Sequence, residues 1–274
     1  MATLVAPDGT QLVFDAAEPS SPRAAILMLH GWSDHAGRWA TVGERLKDAG
    51  YAVYLLDLRG HGRSGGQRGH LSRFSQLLGD LQAFRRAVRR RRAELPHILL
   101  GHSFGGLVTL RYLETQPGDP IAAAILSSPW LALTSAPPFW KQALARVCAD
   151  LWPTLPIPAS IDPALISRDA TVNAAYEADP AVHQAMTPGA WREIQWAQRA
   201  VAADGARIDT PLMFLLGGED RLVDAHAARA FADSLAVPTR VAWYPEMFHE
   251  ILHDPEAEHA VSDIVAFLAE RGLA

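Results

Sequence analysis

Apolar runs alternate with amphipathic stretches along this chain. The apolar runs predict strands at residues 24–31, 51–62, 97–102, 122–129, 211–220 and 239–245. Between them, apolar residues at helical spacing predict helices over about 38–49, 74–94, 103–114, 225–236 and 256–271. A hairpin precedes them, with strands at 3–5 and 11–14 around the turn Asp8-Gly9-Thr10. Strands that alternate with helices predict an α/β fold, in which helices cover both faces of a mostly parallel sheet.

Residues 130–205 interrupt this alternation. The segment is rich in proline and holds five of the chain's eight tryptophans, and its pattern predicts helices but no buried strand. An insertion after the sixth strand would lie at the carboxyl edge of the sheet, where it would cover a ligand crevice. The sequence therefore predicts a core of residues 1–129 and 206–274 with a helical cap at 130–205.

Size and charge narrow the possible functions. A chain of 274 residues suits one large domain or a core with an insertion. The formal net charge of −5 argues against a nucleic-acid partner. One local basic cluster follows the apolar stripe of the helix predicted at 74–94, and it consists of Arg85, Arg86, Arg89, Arg90, Arg91 and Arg92. We expect it to form the solvated side and end of that helix; contact with an anionic lipid surface is the alternative.

Cys148 is the only cysteine, so the sequence predicts neither an internal disulfide nor a cysteine-based metal site. No leader peptide and no apolar run of membrane-spanning length is visible. We therefore expect a cytoplasmic protein. The sequence does not indicate an oligomeric state.

The pentapeptide Gly101-His102-Ser103-Phe104-Gly105 matches G-x-S-x-G and is followed by Gly106. It lies between an apolar strand and an amphipathic helix. A serine at so sharp a strand-to-helix turn needs small neighbours, which the glycines provide. Its hydroxyl then projects from the sheet edge, and the next amide faces a developing oxyanion. The motif predicts that Ser103 is a nucleophile.

A nucleophilic serine needs a base that is itself oriented by an acid. Asp220 follows Gly217-Gly218, where the chain leaves one strand, and His249 follows the next strand after a short loop. We predict that these two residues are the acid and the base; Glu219 and Asp224 are the alternatives for the acid.

The stretch His249-Glu250-Ile251-Leu252-His253 also matches the zinc-protease pattern H-E-x-x-H. However, it begins only a few residues after a strand, and Pro255 disfavours a helix at the preceding residue. We therefore interpret the match as accidental, with His249 as a base and His253 at a helix start or on the surface.

The loop after residues 24–29 should supply a second oxyanion donor, the amide of Trp32, beside that of Phe104. Further residues are expected to contact a substrate: His30, Gly31, His102, Trp130, Trp140 and Leu144. For His30 we favour a structural role in bonding nearby backbone, and for His102 packing or pocket lining. His61 and His70 are expected to brace their loop.

Several of these stretches resemble the monoacylglycerol lipase and lysophospholipase group of α/β-hydrolases, also classed with the S33 serine aminopeptidases. The matching stretches are HGWSDHAGRW (30–39), DLRGHGRSGGQRGH (57–70), GHSFGG (101–106), SRDATVNAAYEADPAVH (167–183) and GGEDRLVD (217–224). The resemblance implies an α/β-hydrolase fold, a Ser103–His249–Asp220 triad, ester cleavage of single-chain lipids and no metal or organic cofactor.

In the cap, one helical face would carry Trp140, Leu144, Val147, Cys148 and Leu151. It could pack on the cap's own core, or form an acyl channel or lipid-docking face that brings the protein to a membrane. Three other functions stay open. An aminopeptidase would need an acidic cap residue such as Glu177, Asp179 or Glu193 to hold an amine. An acyltransferase would use the same acyl-enzyme, and a binding protein would use none of this chemistry.

Overall fold

The computed structural model describes residues 1–116 and 118–273. It confirms the α/β-hydrolase architecture. The central sheet has eight strands, which are, in spatial order, β1 Ala2–Val5, β2 Gln11–Ala17, β4 Ala52–Asp57, β3 Ala25–Leu29, β5 His97–His102, β6 Ala123–Ser127, β9 Leu212–Gly217 and β10 Thr239–Tyr244. The first two strands form the predicted hairpin and pair antiparallel, while the remaining six run parallel to one another. Two short strands, β7 Ile157–Pro158 and β8 Ala185–Met186, lie outside this sheet.

The helices of the core lie where the periodicity predicts them, and residues 130–205 contain three more helices, whose presence but not positions the pattern predicted. They are α1 Ala40–Asp48, α2 Phe74–Arg91, α3 Phe104–Thr115, α4 Phe139–Leu151, α5 Ala170–Ala178, α6 Pro188–Asp204, α7 Ala225–Asp233 and α8 Ala257–Ala269. The helix predicted at 38–49 begins as a 3-10 turn, Ala36–Trp39, before α1. Within residues 1–116 and 118–273, no helix is long and apolar enough to cross a membrane.

Two hydrophobic layers explain why the central strands are apolar throughout. In β3, Leu27 and Leu29 face a layer that includes α2 and α3. The alternate residues Ile26 and Met28 face a second layer that includes α1 and α8. Because successive side chains of a strand point to opposite faces, a strand covered on both sides needs apolar residues at every position.

The segment between β6 and β9 contains α4, α5 and α6, although these two strands are neighbours in the sheet. We call residues 130–205 the cap segment. Its only paired strands in the described residues are β7 and β8, two residues each and neither of them buried, in agreement with the predicted lack of a buried strand. The cap segment is joined to the core where the Thr187 amide donates to the Gly69 carbonyl at 2.8 Å.

One prediction about the arginine cluster is wrong. Arg85 is buried rather than solvated, because its guanidinium donates to the Tyr112 hydroxyl at 3.0 Å and to the Pro120 carbonyl at 3.0 Å and is paired with Asp119. Arg86, Arg89, Arg90 and Arg91 are exposed, as predicted.

Candidate active site

Ser103 occupies a strained turn between β5 and α3. Its backbone has φ 51° and ψ −112°, a conformation that side chains disfavour. The flanking glycines are required by close contacts: a Cβ on Gly101 would lie 2.5 Å from the Gly105 carbonyl oxygen, one on Gly105 would collide with the Leu29 carbonyl oxygen, and one on Gly106 would lie 2.8 Å from the Pro129 side chain. The G-x-S-x-G-G spacing thus reflects a turn that tolerates no larger neighbours.

His249 lies in the loop after β10, and its Nδ1 is 2.8 Å from Oδ2 of Asp220, which follows β9. The other oxygen of Asp220 accepts hydrogen bonds from the Leu222 and Val223 amides at 2.9 and 3.0 Å, and these fix the carboxylate. The two alternative acids have other partners: Asp224 caps α7 by accepting from the Ala227 amide, and Glu219 is exposed beside Arg221. Of the three carboxylates, only Asp220 is within hydrogen-bond distance of His249.

The electrostatic surroundings of His249 suit a base. Burial alone would lower the pKa of the imidazole, but the Asp220 carboxylate, its hydrogen bond and the more distant Glu250 and Asp34 outweigh burial and raise the pKa above its ordinary value. A proton taken from a nucleophile would therefore be stabilised on this ring. His102, whose ring centroid lies 4.8 Å from that of His249, has a pKa well below the ordinary value because it is buried, and next because His249 is close.

Ser128 was missed by the sequence analysis. It follows β6 with φ 43°, and its hydroxyl donates to the His249 carbonyl at 2.8 Å. This bond fixes the backbone of the histidine loop from the strand next to β5. The serine follows an apolar strand, as many loop serines do, so the sequence carried no distinctive signal for this role.

The amides of Trp32 and Phe104 are available for an oxyanion. Across residues 1–116 and 118–273, neither N–H donates a hydrogen bond to a protein acceptor. Phe104 is the first residue of α3, where amides point out of the helix and the helix dipole favours negative charge. Ser33, with φ 64°, sets the direction of the loop directly after Trp32.

The H-E-x-x-H residues have separate partners. Glu250 is bound by both terminal nitrogens of Arg38, each at 2.8 Å, and by His253 Nδ1 at 2.7 Å. Burial would raise the pKa of Glu250, but Arg38 and His253 hold it well below its usual range. His253 lies in a 3-10 turn, and its ring packs against that of Trp39 with the centroids 4.4 Å apart and the planes tilted by 45°. The prediction of a surface or helix-start position is therefore wrong. Among the described residues, no group of three His, Cys, Asp or Glu side chains is arranged to hold a metal ion.

A pocket of about 140 Å³ opens over Ser103 and His249. Most of its other lining residues are apolar, and three of the predicted substrate contacts, Gly31, His102 and Trp130, line it. His30 does not: its Nδ1 donates to the Gly31 carbonyl at 2.8 Å and its Nε2 accepts from the Leu58 amide at 3.0 Å. The structure thus places His30 behind the pocket, in the structural role we favoured, and corrects the prediction of a substrate contact.

Trp140 and Leu144 lie outside the Ser103 pocket. They line a second, larger cavity of about 410 Å³ in the cap segment, which we call the cap groove. The cap groove and the Ser103 pocket share Ala159 and Met186 as lining residues, so they adjoin one another. The lining of the cap groove is mainly apolar and includes Cys148 and Trp191.

Most of the other polar residues singled out by the sequence are hydrogen-bonded within the protein. His61 Nδ1 donates to the Arg59 carbonyl at 2.9 Å, and His70 Nδ1 is 2.9 Å from the Thr187 hydroxyl, so both brace their loop as predicted. Of the acidic cap residues, Asp179 bonds to His35 at 2.8 Å and Glu193 accepts from the Phe74 amide at 2.8 Å. The third, Glu177, is exposed, and none of the three lines the Ser103 pocket.

The chain is similar to several known hydrolases. The family model described as serine aminopeptidase, S33, matches residues 20–256. A monoacylglycerol lipase of Mycolicibacterium smegmatis is 34% identical over 95% of this chain and 93% of its own length. A phospholipase of Bacillus subtilis is 28% identical over 90% of this chain and 95% of its own. The crystal structure of a Paleococcus ferrophilus monoacylglycerol lipase superposes with a TM-score of 0.85 at 30% identity, covering 95% and 99% of the two chains.

Proposed function

Because this chain belongs to the S33 serine aminopeptidase family of α/β-hydrolases, we propose that Ser103, His249 and Asp220 form a triad that hydrolyses single-chain lipid esters. Relatives named as lipases and a phospholipase place the chain among carboxylic ester hydrolases. One observation carries the lipid assignment: the pocket over Ser103 adjoins the apolar cap groove.

The proposed reaction has two steps. Oγ of Ser103 bonds to the ester carbonyl carbon while His249 Nε2 accepts the hydroxyl proton, and Asp220 stabilises the imidazolium through Nδ1. The carbonyl oxygen becomes an oxyanion that accepts from the Trp32 and Phe104 amides. The C–O bond to the alcohol then breaks, and His249 returns the proton to the alcohol oxygen. Water then attacks the acyl-Ser103 carbonyl with His249 again as base. The acyl–Oγ bond breaks, His249 returns the proton to Oγ of Ser103, and the fatty acid is released.

Cavity size supports a substrate with one acyl chain. A space of about 140 Å³ is small beside the ~300–1,000 Å³ of ordinary ligand pockets, so it suits an ester group and a small alcohol. An acyl chain would continue into the cap groove of about 410 Å³ along Trp140 and Leu144. The apolar lining favours hydrocarbon because burying it removes apolar surface from water.

The aminopeptidase alternative has weaker support. A free substrate amine would need an unpaired carboxylate near Ser103. The acidic residues that line the pocket, Asp34 and Glu250, are both bound by Arg38, and Trp39 Nε1 also donates to Asp34 at 2.6 Å. Both carboxylates are therefore already engaged by donors within the protein.

We further propose that the cap segment contacts a lipid surface. Four apolar side chains on or next to α4 are more than half exposed although they do not line the cap groove: Phe139, Val147, Leu151 and Trp152. Large apolar side chains concentrated on one short stretch favour partition into a lipid interface. This contact would bring the cap groove beside the membrane from which a substrate leaves.

The test is a hydrolysis panel on wild type, Ser103→Ala and, as a matched control, Ser75→Ala on the exposed side of α2. The panel contains 4-nitrophenyl esters of increasing chain length, a monoacylglycerol, a lysophosphatidylcholine and an aminoacyl anilide, each with and without a chelator. We expect cleavage of long-chain monoesters that the chelator does not affect, that Ser75→Ala retains and that Ser103→Ala lowers by about 10⁶-fold.

Two results would contradict the proposal. Activity confined to the anilide would identify a peptidase. Activity that survives Ser103→Ala and disappears with the chelator would make the H-E-x-x-H residues the true site.

A further inference from the structure

The indole of Trp32 joins the loop that carries an expected oxyanion donor to the cap segment. The side chain is 6% exposed, and its Nε1 donates to the Ala185 carbonyl in β8 at 3.3 Å. An oxyanion donor needs only its backbone N–H, and although Trp32 also lines the Ser103 pocket, neither role requires its indole to bond to the cap segment. The contact across the chain therefore calls for another explanation.

Aromatic rings surround this indole. Phe104, the other expected donor, packs edge-on against it at 5.1 Å, and His61 does so at 5.1 Å. From the cap segment, His183 packs edge-on at 5.8 Å, and its ring lies 4.6 Å from that of His61. The side chains of the two expected donor residues, Trp32 and Phe104, thus contact each other, and His183 of the cap segment completes their packing.

The two histidines contribute here as neutral rings. Burial lowers the pKa of His61 well below its ordinary value, and the neighbouring His30 and His183 lower it further. Burial, followed by Arg68 and His30, lowers the pKa of His183 to about 4. Near pH 7 both imidazoles are therefore uncharged and pack on the indole as aromatic groups.

The cap segment is held firmly at this point. Thr187 is bonded through its amide to Gly69 and through its hydroxyl to His70. Gly69 has φ 67°, and a Cβ there would collide with the Ala185 backbone. Three residues of the stretch 183–187, namely His183, Ala185 and Thr187, thus contact the core beside the expected oxyanion hole.

We propose that residues 183–187, which we call the cap clamp, position the oxyanion hole through the side chain of Trp32. His183 and the Ala185 carbonyl are positioning groups. They fix the Trp32 indole, which in turn fixes the backbone N–H of Trp32 and packs against the Phe104 ring. The hole is complete only when the cap clamp is seated on the core. This inference rests on the proposed function, since it assigns a role within that site.

The test compares the binding of two inhibitors in Trp32→Phe and His183→Ala. Trp32→Phe keeps an aromatic ring but removes the Nε1 donor, and His183→Ala removes the cap's ring. Matched controls are Trp196→Phe, half-exposed on α6, and His259→Ala, exposed on α8. A long-chain trifluoromethyl ketone forms an oxyanion on the serine, whereas a monoalkyl glycerol ether only fills the pocket.

We expect kcat to fall about 3- to 30-fold in each variant with KM within twofold, below the ~10²–10³-fold cost of losing a whole oxyanion donor. Affinity for the ketone should fall in parallel with kcat. Affinity for the ether should not change in His183→Ala, and it should fall less than ketone affinity in Trp32→Phe, because Trp32 itself lines the Ser103 pocket. The double variant should lose less than the product of the single losses, because both changes act on one contact. The two controls should match wild type in every readout.

Equal losses in ketone and ether affinity, or kcat unchanged in both variants, would overturn the cap clamp. These results differ from failure of the proposed function itself, in which wild type would not cleave the ester panel or Ser103→Ala would retain activity. Thermal melting of each variant identifies any loss that unfolding causes, and Trp32→Phe, which keeps a ring in the site, remains informative if His183→Ala does not fold.

Discussion

The charge on His249 is decided by opposing effects on one buried ring. Burial favours the neutral imidazole, and the Asp220 carboxylate at 2.8 Å favours the imidazolium. The carboxylate dominates, with help from Glu250 and Asp34, so the pKa lies above its ordinary value of 6.5. A base must be neutral before it accepts a proton, and His249 is neutral only above its own pKa.

This ordering predicts the pH dependence of the reaction. In wild type, kcat/KM should fall on the acid side with an apparent pKa above 6.5, the ordinary histidine value. In Asp220→Asn burial is no longer opposed by that carboxylate, so the acid limb should move to lower pH while kcat falls by about 10⁴-fold. The measurement is the pH profile of ester hydrolysis for both enzymes.

The two neighbouring acids provide controls. Glu219→Gln changes an exposed side chain, and Asp224→Asn keeps a residue that can cap α7, so both should preserve the rate and the position of the acid limb. If Glu219→Gln lost activity while Asp220→Asn kept it, the acid would have been assigned to the wrong residue.

The turn from β5 into α3 accepts only glycine at position 101. Gly101 follows the apolar stretch of its strand, yet any Cβ there would meet backbone from the first turn of the next helix. Gly79 lies within α2, where the nearest atom to an added Cβ is 3.5 Å away on Pro7, an ordinary contact. Gly101 therefore cannot accept a larger residue, whereas Gly79 can.

We predict opposite stability changes for Gly101→Ala and Gly79→Ala. Gly101→Ala should lower the free energy of unfolding by about 1–3 kcal/mol, because backbone must move to relieve the contact, and it should reduce activity with it. Gly79→Ala should raise that free energy by about 0.5–1 kcal/mol, since glycine weakens a helix interior, and should leave activity unchanged. Urea unfolding of the three proteins measures both changes, and equal signs would refute the prediction.

The strands and helices were predictable from the sequence because the patterns that indicate them lie within short stretches of the chain. Continuous apolar runs located the sheet strands, period-3.6 patterns located the core helices, and glycine spacing located Ser103. Arg85 could not be predicted, because its burial depends on Tyr112 and Pro120 in other elements, and helical periodicity places it beside solvated arginines. Ser128 and the Arg38–Glu250 pair were missed for the same reason: their partners are distant in sequence.

At the scale of the whole molecule, apolar side chains of the cap segment divide into two groups. Trp140 and Leu144 line the cap groove, whereas Phe139 and Leu151, on the same helix, do not and are 84% and 81% exposed. If α4 both receives an acyl chain and rests on a lipid surface, these two groups should have separable effects. Their roles can be distinguished by the physical state of the substrate.

We predict that the double variant Phe139→Ser/Leu151→Ser cleaves vesicle-borne monoacylglycerol poorly but keeps wild-type activity on a dissolved short-chain ester. Each side chain fully buried in lipid would contribute about 1.5–3 kcal/mol, so binding to vesicles should weaken about tenfold or more. The matched variant Trp140→Ser/Leu144→Ser should instead raise KM for long-chain esters even when they are dissolved as monomers, because it removes lining from the cap groove. The measurements are vesicle sedimentation and hydrolysis of dissolved and vesicle-borne substrates by all three proteins.

Equal behaviour of the two double variants would mean that α4 has one apolar function, and vesicle binding unchanged in Phe139→Ser/Leu151→Ser would exclude this helix as the membrane contact.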